Sequence, residues 1–218
     1  NIAIGVLLIA GCSSKNIAIH NNTPKELIPA PQTKSAKVVH VATATELKTA
    51  LLSAKPGDSV VLKDGIYSGK FEITNSGTSN QPIFLTGSEN AMLDAGTTAT
   101  GYVLHIKGSY NTIKGITVQN GLKGIVADGV TKVVVDGVTV TNIGEEAIHL
   151  RSFSSNNIIQ NCNITHTGKK TPDYGEGIYI GSAKNNWYKY SNDKPDNCDS
   201  NIVLNNTIGP FVAAESID

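Results

Sequence analysis

Arginine is nearly missing from this sequence of 218 residues, and Arg151 is the only one. The 18 basic residues are thus almost all lysine, and 18 acidic residues balance them to a formal net charge of zero. That balance gives no electrostatic footprint for nucleic acid or for an anionic membrane surface. Aromatic residues are scarce at 6%, with Trp187 the only tryptophan, so β-branched and aliphatic side chains must supply most of the packing. No apolar run reaches the ~18 residues of a membrane-spanning helix.

Glycine and asparagine are plentiful, which suits a chain of many tight turns. Two phrases recur in the same order. The first is GITVQN at 115–120, GVTVTN at 137–142, NCNITH at 161–166 and, more weakly, NNTIGP at 205–210. The second is KGIVAD at 123–128, EAIHLR at 146–151, EGIYIG at 176–181 and ESID at 215–218. From Gly115 to Gly137 is 22 residues, and from Gly137 to Asn161 is 24. A unit of that length cannot bury its apolar face alone, so its copies must stack. Each copy holds short alternating strands broken by Gly, Asn and Asp, as one turn of a β-solenoid requires. The expected fold is all-β: a parallel β-helix over 38–218, cut at its C-terminal end.

The first residues read as a targeting signal. Residues 2–10 (IAIGVLLIA) are apolar, too short to span a bilayer, and followed by Gly11 and Cys12. Ile9-Ala10-Gly11-Cys12 resembles the bacterial lipoprotein lipobox, which implies cleavage before Cys12, a lipid anchor on its sulfur, and residence at the outer membrane or cell surface. A buried strand with an ordinary cysteine is the alternative. Residues 13–37 carry Pro24, Pro29 and Pro31 and read as a flexible tether. Cys162 alternates in phase with Ile164 and is expected to point inward; Cys198 sits in a polar loop, and their spacing does not argue for a disulfide.

Thr43 or Thr45 can cap a helix running to about Ala54, with Leu47, Ala50, Leu51 and Ala54 on one face. Such a helix either closes the open apolar end of the solenoid or packs on one side of it. Strands are expected at 59–63, 71–74, 83–86, 102–106, 112–119, 124–127, 133–141, 147–151, 157–165, 177–181 and 201–204. Asn120 and Asn142 should stack at a turn, with His166 taking the same place one coil later.

These repeats resemble the right-handed parallel β-helix of the pectate-lyase-like superfamily. The opening TELKTALLSAKPGDSVVLKDGIYSGKFEI at 45–73 is similar to the start of polysaccharide lyases of the chondroitinase B and alginate lyase type. The resemblance implies the fold and, for some members, cleavage of acidic polysaccharides. It carries over no catalytic motif residue by residue, and fold alone does not assign function.

The alignment nevertheless maps a surface. Lys123, Glu146, Glu176 and Glu215 fall in one column. Val126, His149, Tyr179 and Asp218 form an outward column, and Asp128, Arg151 and Gly181 another. Coils lie ~4.8 Å apart, so stacked glutamates repel unless they cap turn amides or share a cation; Ca²⁺ held by Glu146, Glu176 and Glu215 is one candidate. Arg151 offers a planar fork for a uronate carboxylate, His149 or Lys184 a base, and Tyr179 an acid. Insertions at 167–175 and 182–200 flank the second phrase and add Lys169, Lys170, Trp187 and Tyr190, which with Asp218 are candidate substrate contacts. Asp193, Asp196 and Asp199 resemble a loop cation site only weakly.

Three functions compete. A lyase acting on an acidic polysaccharide by β-elimination needs a neutralised carboxylate, a base and an acid, all of which these columns offer. A glycoside hydrolase would need two carboxylates; Glu146 and Glu215, two coils apart, would lie ~9.6 Å from each other, at the upper end of the ~6.5–9.5 Å inverting range. A non-catalytic glycan-binding surface module is the third. A monomer is the default state.

Overall fold

The computed structural model describes residues 36–218. The signal segment with Cys12, and all but the end of the tether, lie outside the described residues. Among the described residues no helix is long and apolar enough to cross a membrane.

The chain winds through three sheets in the repeating order A, B, C, and every strand pairing is parallel. Sheet A has seven strands, from Val38–Val41 to Ile202–Leu204; sheet B has six, from Gly65–Ser68 to Thr207–Ile208; sheet C has five, from Phe71–Ile73 to Ile178–Ile180. This is the expected parallel β-helix. The two sequence phrases are its sheet B and sheet C strands. Val140 pairs with Val118 on one side and Ile164 on the other, and Ile148 pairs with Ile125 and Ile178.

Register places like side chains on like. Phe71, Leu104, Ile125, Ile148 and Ile178 stack inward from sheet C, Val118, Val140 and Ile164 from sheet B, and Ile113, Val135 and Ile159 from sheet A. All are essentially sealed from solvent. Each such side chain contributes about 1.5–3 kcal/mol by leaving water. Cys162 joins this core, and burial pushes its thiol up to about 11.

The corners explain the punctuation of the repeats. Gly115, Gly137, Asn161 and Asn205 turn from sheet A to sheet B with φ of 76°, 63°, 55° and 54°. Asn120, Asn142 and His166 leave sheet B with φ of 56°, 53° and 55°. Glycine and asparagine tolerate this left-handed region best. The expected strands 112–119, 133–141 and 157–165 are therefore each two short strands folded about one left-handed residue. Strands at 38–41, 65–68 and 91–94 also form beyond those expected. Along the second corner Asn142 Nδ2 donates to Asn120 Oδ1, and Asn120 Nδ2 donates to Asp94 at 2.6 Å. His166 keeps the corner conformation but tilts its ring against Phe211, 4.8 Å away.

Helix Ala44–Ser53 opens on Thr43 with a capping box: Glu46 N–H donates to Thr43 Oγ1 at 3.2 Å, and Thr43 N–H donates back to Glu46 Oε2 at 3.1 Å. Its face of Leu47, Ala50 and Leu51 packs on the first strands of all three sheets. The helix thus closes the coil end and does not lie along a side.

Asn142→Ala is expected to destabilise the fold by about 1–2 kcal/mol, because alanine bears the left-handed penalty that asparagine tolerates and the ladder bond is lost. Asn142→Gly, which keeps the corner, should cost less. Urea midpoints at unchanged m-value distinguish the two.

Candidate active site

Strand alternation sends every second residue of sheet C outward, and register stacks them. One outward column runs Glu72, His105, Val126, His149, Tyr179; the position two residues on pairs Asp128 with Arg151. His149 and Tyr179 lie on the same side of the molecule with their rings stacked, centroids 4.5 Å apart and planes 24° from parallel.

The exposure expected of this face is corrected. Arg151 is only 3% exposed, and its fork is already engaged: Nε donates to Asp128 Oδ1 at 2.6 Å and a terminal nitrogen to Asp128 Oδ2 at 3.1 Å. The same terminal nitrogen donates to the Tyr102 hydroxyl at 3.1 Å, and the guanidinium carbon lies 4.0 Å from the Tyr190 ring centroid. Asp128 also meets His105 Nε2 at 2.7 Å, and His105 Nδ1 lies 3.5 Å from Glu72. Burial opposes the charge on Asp128, but His105 and Arg151 hold its carboxyl well below the usual carboxylate range. Burial likewise opposes the Arg151 charge, and Asp128 and Tyr102 outweigh it. Arg151 is therefore the centre of a built network and has no free fork for a uronate.

His149 is equally enclosed, at 3% exposure. Its Nε2–H donates to the Gly181 carbonyl at 2.8 Å; Nδ1 has no hydrogen-bond partner and lies 3.5 Å from Glu146 Oε1. Neither ring nitrogen faces open solvent, so the geometry does not present His149 as a base to an incoming sugar.

The glutamate column is resolved differently at each coil. Lys123 Nζ pairs with Glu146 and, at 3.0 Å, with Glu145. Burial opposes the Glu146 charge, yet His149 and Lys123 bring its carboxyl down to about 2. Glu176 is 6% exposed, and its Oε2 has no hydrogen-bond partner. Burial, then the neighbouring Glu146, Asp218 and Glu215 charges, push its carboxyl upward. Glu215 is exposed. Among the described residues no three acidic, histidine or cysteine side chains converge as a metal cluster. The lysine ammonium already answers Glu146, so the trio Glu146, Glu176 and Glu215 does not fit the Ca²⁺ expected of it.

The two insertions arch beside these columns. Lys169 and Lys170 are exposed, and Lys170 Nζ donates to the Ala99 carbonyl at 2.8 Å. Lys184 is exposed at the start of a short 3₁₀ turn, Lys184–Asn186. Trp187 is half-buried, its Nε1–H donating to the Ser182 carbonyl at 2.8 Å. Tyr190 covers Arg151. Both rings therefore hold the insertion together, and the exposed aromatics of the two insertions are Tyr174 and Tyr188. Asp218 is exposed at the end of the outward column. Cys162 and Cys198 are free thiols.

Sequence reading missed Glu72, His105, Tyr102 and Glu145. Carrying the second phrase one coil back would have found two of them, because YVLHIK at 102–107 pairs in register with KGIVAD: Tyr102 with Lys123 and His105 with Val126. The pairing of His105 with Glu72 follows one coil further back.

Arg151→Ala should cost about 3 kcal/mol, since it strands a largely buried Asp128 charge. Asp128→Asn combined with Arg151→Ala should cost less than the two single changes added, as a double-mutant cycle by urea unfolding would read. Glu176 predicts a pH effect on stability. Its native carboxyl titrates above the ordinary 4.5, so its contribution is intact below pH ~4.5 and lost as pH rises through the native value. Glu176→Gln is therefore expected to stabilise the protein at pH 8 and to change little at pH 4.

Residues 29–167, more than half of the chain, match the sequence model described as Pel9A-like, right handed beta helix region. No curated protein matches the sequence. Among solved structures, an alginate lyase from Paenibacillus sp. strain FPU-7 is 41% identical with a TM-score of 0.80, over 84% of this chain and 61% of that one. The chain thus spans about three fifths of that lyase. A family 6 polysaccharide lyase from Pseudopedobacter saltans shares the fold at 17% identity and a TM-score of 0.60, over 82% of this chain and 40% of that one. Parallel coils in register, the capping helix and the family match together establish that the chain belongs to the Pel9A-like right-handed β-helix family.

Proposed function

We propose that this chain belongs to a polysaccharide lyase that cleaves an acidic, uronate-containing glycan by β-elimination. The observation that carries the reading is the 41% identity to the Paenibacillus alginate lyase across 84% of the chain. Alginate is accordingly the first substrate to test.

β-Elimination removes the proton at C5 of a uronate, forms the C4–C5 double bond and expels the glycosidic oxygen from C4. The leaving oxygen takes a proton, and the sugar carboxylate must be balanced while charge builds on it. Tyr179 is suited to supply that proton. It stands half-buried on the outward column, and burial, with help from Asp218 and Glu176, raises its hydroxyl above the ordinary tyrosine value. It therefore carries its proton at neutral pH. With both His149 nitrogens enclosed, Lys184 is the candidate C5 base, five residues along from Tyr179 on the insertion edge. Lys169 and the exposed Lys189 are positioned by sequence on the two insertions and would draw the polyanion by charge. Arg151 serves the site indirectly, by holding Asp128 and Tyr190.

Incubation with alginate, pectate and glycosaminoglycans should produce the ultraviolet absorbance of an unsaturated uronate from at least one of them. Tyr179→Phe should lower kcat about 10²–10⁴-fold with the fold intact. Glycan binding without any unsaturated product across the panel would instead make this a binding module, and new reducing ends without unsaturation would make it a hydrolase.

A further inference from the structure

Among the buried carboxyl groups outside the columns, Asp196 is distinctive. It is 8% exposed, and no lysine, arginine or histidine among the described residues forms an ion pair with it. Its oxygens are met by neutral donors. Ser152 N–H donates to Oδ2 at 2.9 Å, Phe153 N–H to Oδ1 at 2.7 Å, and the Ser182 hydroxyl to Oδ2 at 2.8 Å. Ser152 and Phe153 are consecutive left-handed residues, φ 57° and 65°, which turns both amides toward one point as an anion nest. A phenylalanine there carries real backbone strain. The carboxylate thus joins three separate pieces: the near end of the 182–200 insertion at Ser182, its far end at residue 196, and the turn that follows Arg151.

The path from this carboxylate to the reactive column is short. Gly181, with φ 96°, lies directly under the Asp196 backbone; a Cβ there would stand 3.1 Å from the Asp196 carbonyl oxygen. Gly181 N–H donates to the Leu150 carbonyl at 2.7 Å, and its own carbonyl receives the His149 Nε2–H at 2.8 Å. His149 is the ring on which Tyr179 stacks. The insertion also lays Tyr190 on Arg151.

We propose that Asp196 is a positioning residue: by pinning the 182–200 insertion to the amides of Ser152 and Phe153, it sets the Gly181 carbonyl, the His149 ring and so the placement of Tyr179. Its effect on turnover rests on the lyase reading above, whereas its effect on the insertion does not. The insertion carries its own reporter, because Trp187 is the only tryptophan in the chain.

The test uses the full chain with Asp196→Ala and Asp196→Asn, the second keeping the shape and one acceptor oxygen. Trp187 emission and acrylamide quenching read the seating of the insertion, far-ultraviolet circular dichroism reads the coils, and steady-state kinetics on alginate read the chemistry. Expected for Asp196→Ala are native-like dichroism, red-shifted and more quenchable Trp187 emission, kcat lowered about 10- to 100-fold, and KM altered less than about threefold. Asp196→Asn should fall between that variant and the native protein. If Asp196→Ala does not fold, the Asn variant decides by the same criteria. Unchanged Trp187 signals overturn the proposal, and so does a loosened Trp187 with unchanged kcat. If the native protein turns over no acidic glycan, the lyase reading falls, and the anchoring role is decided by Trp187 alone.

Discussion

The structure depends on one constraint, that equivalent residues of successive coils lie directly over each other about 4.8 Å apart. Apolar residues profit from it, and the inward columns of valine and isoleucine are its result. Identical charges do not, because neighbours at that spacing repel. The glutamate column relieves this in a different way at each level. Lys123 answers Glu146, burial favours the protonated form of Glu176, and Glu215 faces solvent. A repeat that looks uniform in one dimension is thus chemically graded along the axis.

The outward face of sheet C shows how polar side chains are kept on a strand without being given to solvent. Glu72, His105, Asp128 and Arg151 form a chain of contacts across successive coils, with Tyr102 and Tyr190 against the guanidinium. Low exposure of His105, Asp128 and Arg151 strengthens the contacts among them and makes an unpaired member costly. The arrangement separates two tasks. Arg151 and Asp128 stiffen the platform, and the groups left accessible at its edge, Tyr179 and Lys184, are those free to meet a ligand.

Sequence carried the architecture well because stacking makes periodicity visible. Asn120 and Asn142 marked one corner, and the pairing of Ile125, Ile148 and Ile178 was readable before any coordinates, whereas the corners at Gly115, Gly137 and Asn161 were read through as continuous strand. What was not readable was burial on the outward face. Alternation says that His149 and Arg151 point away from the core, but it does not say that residues 182–200 fold back over them. That depends on Asp196 reaching amides more than forty residues earlier in the chain, a contact with no periodic signature. Trp187 and Tyr190 looked like sugar platforms for the same reason. Their chemistry fits sugars, while their neighbours, Ser182 and Arg151, are set by the folded loop.

The helix at Ala44–Ser53 has a bearing on self-association. A bare coil end displays a ring of backbone donors and acceptors at the spacing another chain's coils would need, and open ends of that kind grow into fibres. Leu47, Ala50 and Leu51 are seated on that end, so the side chains that complete the core also take the place that another chain's coils would occupy.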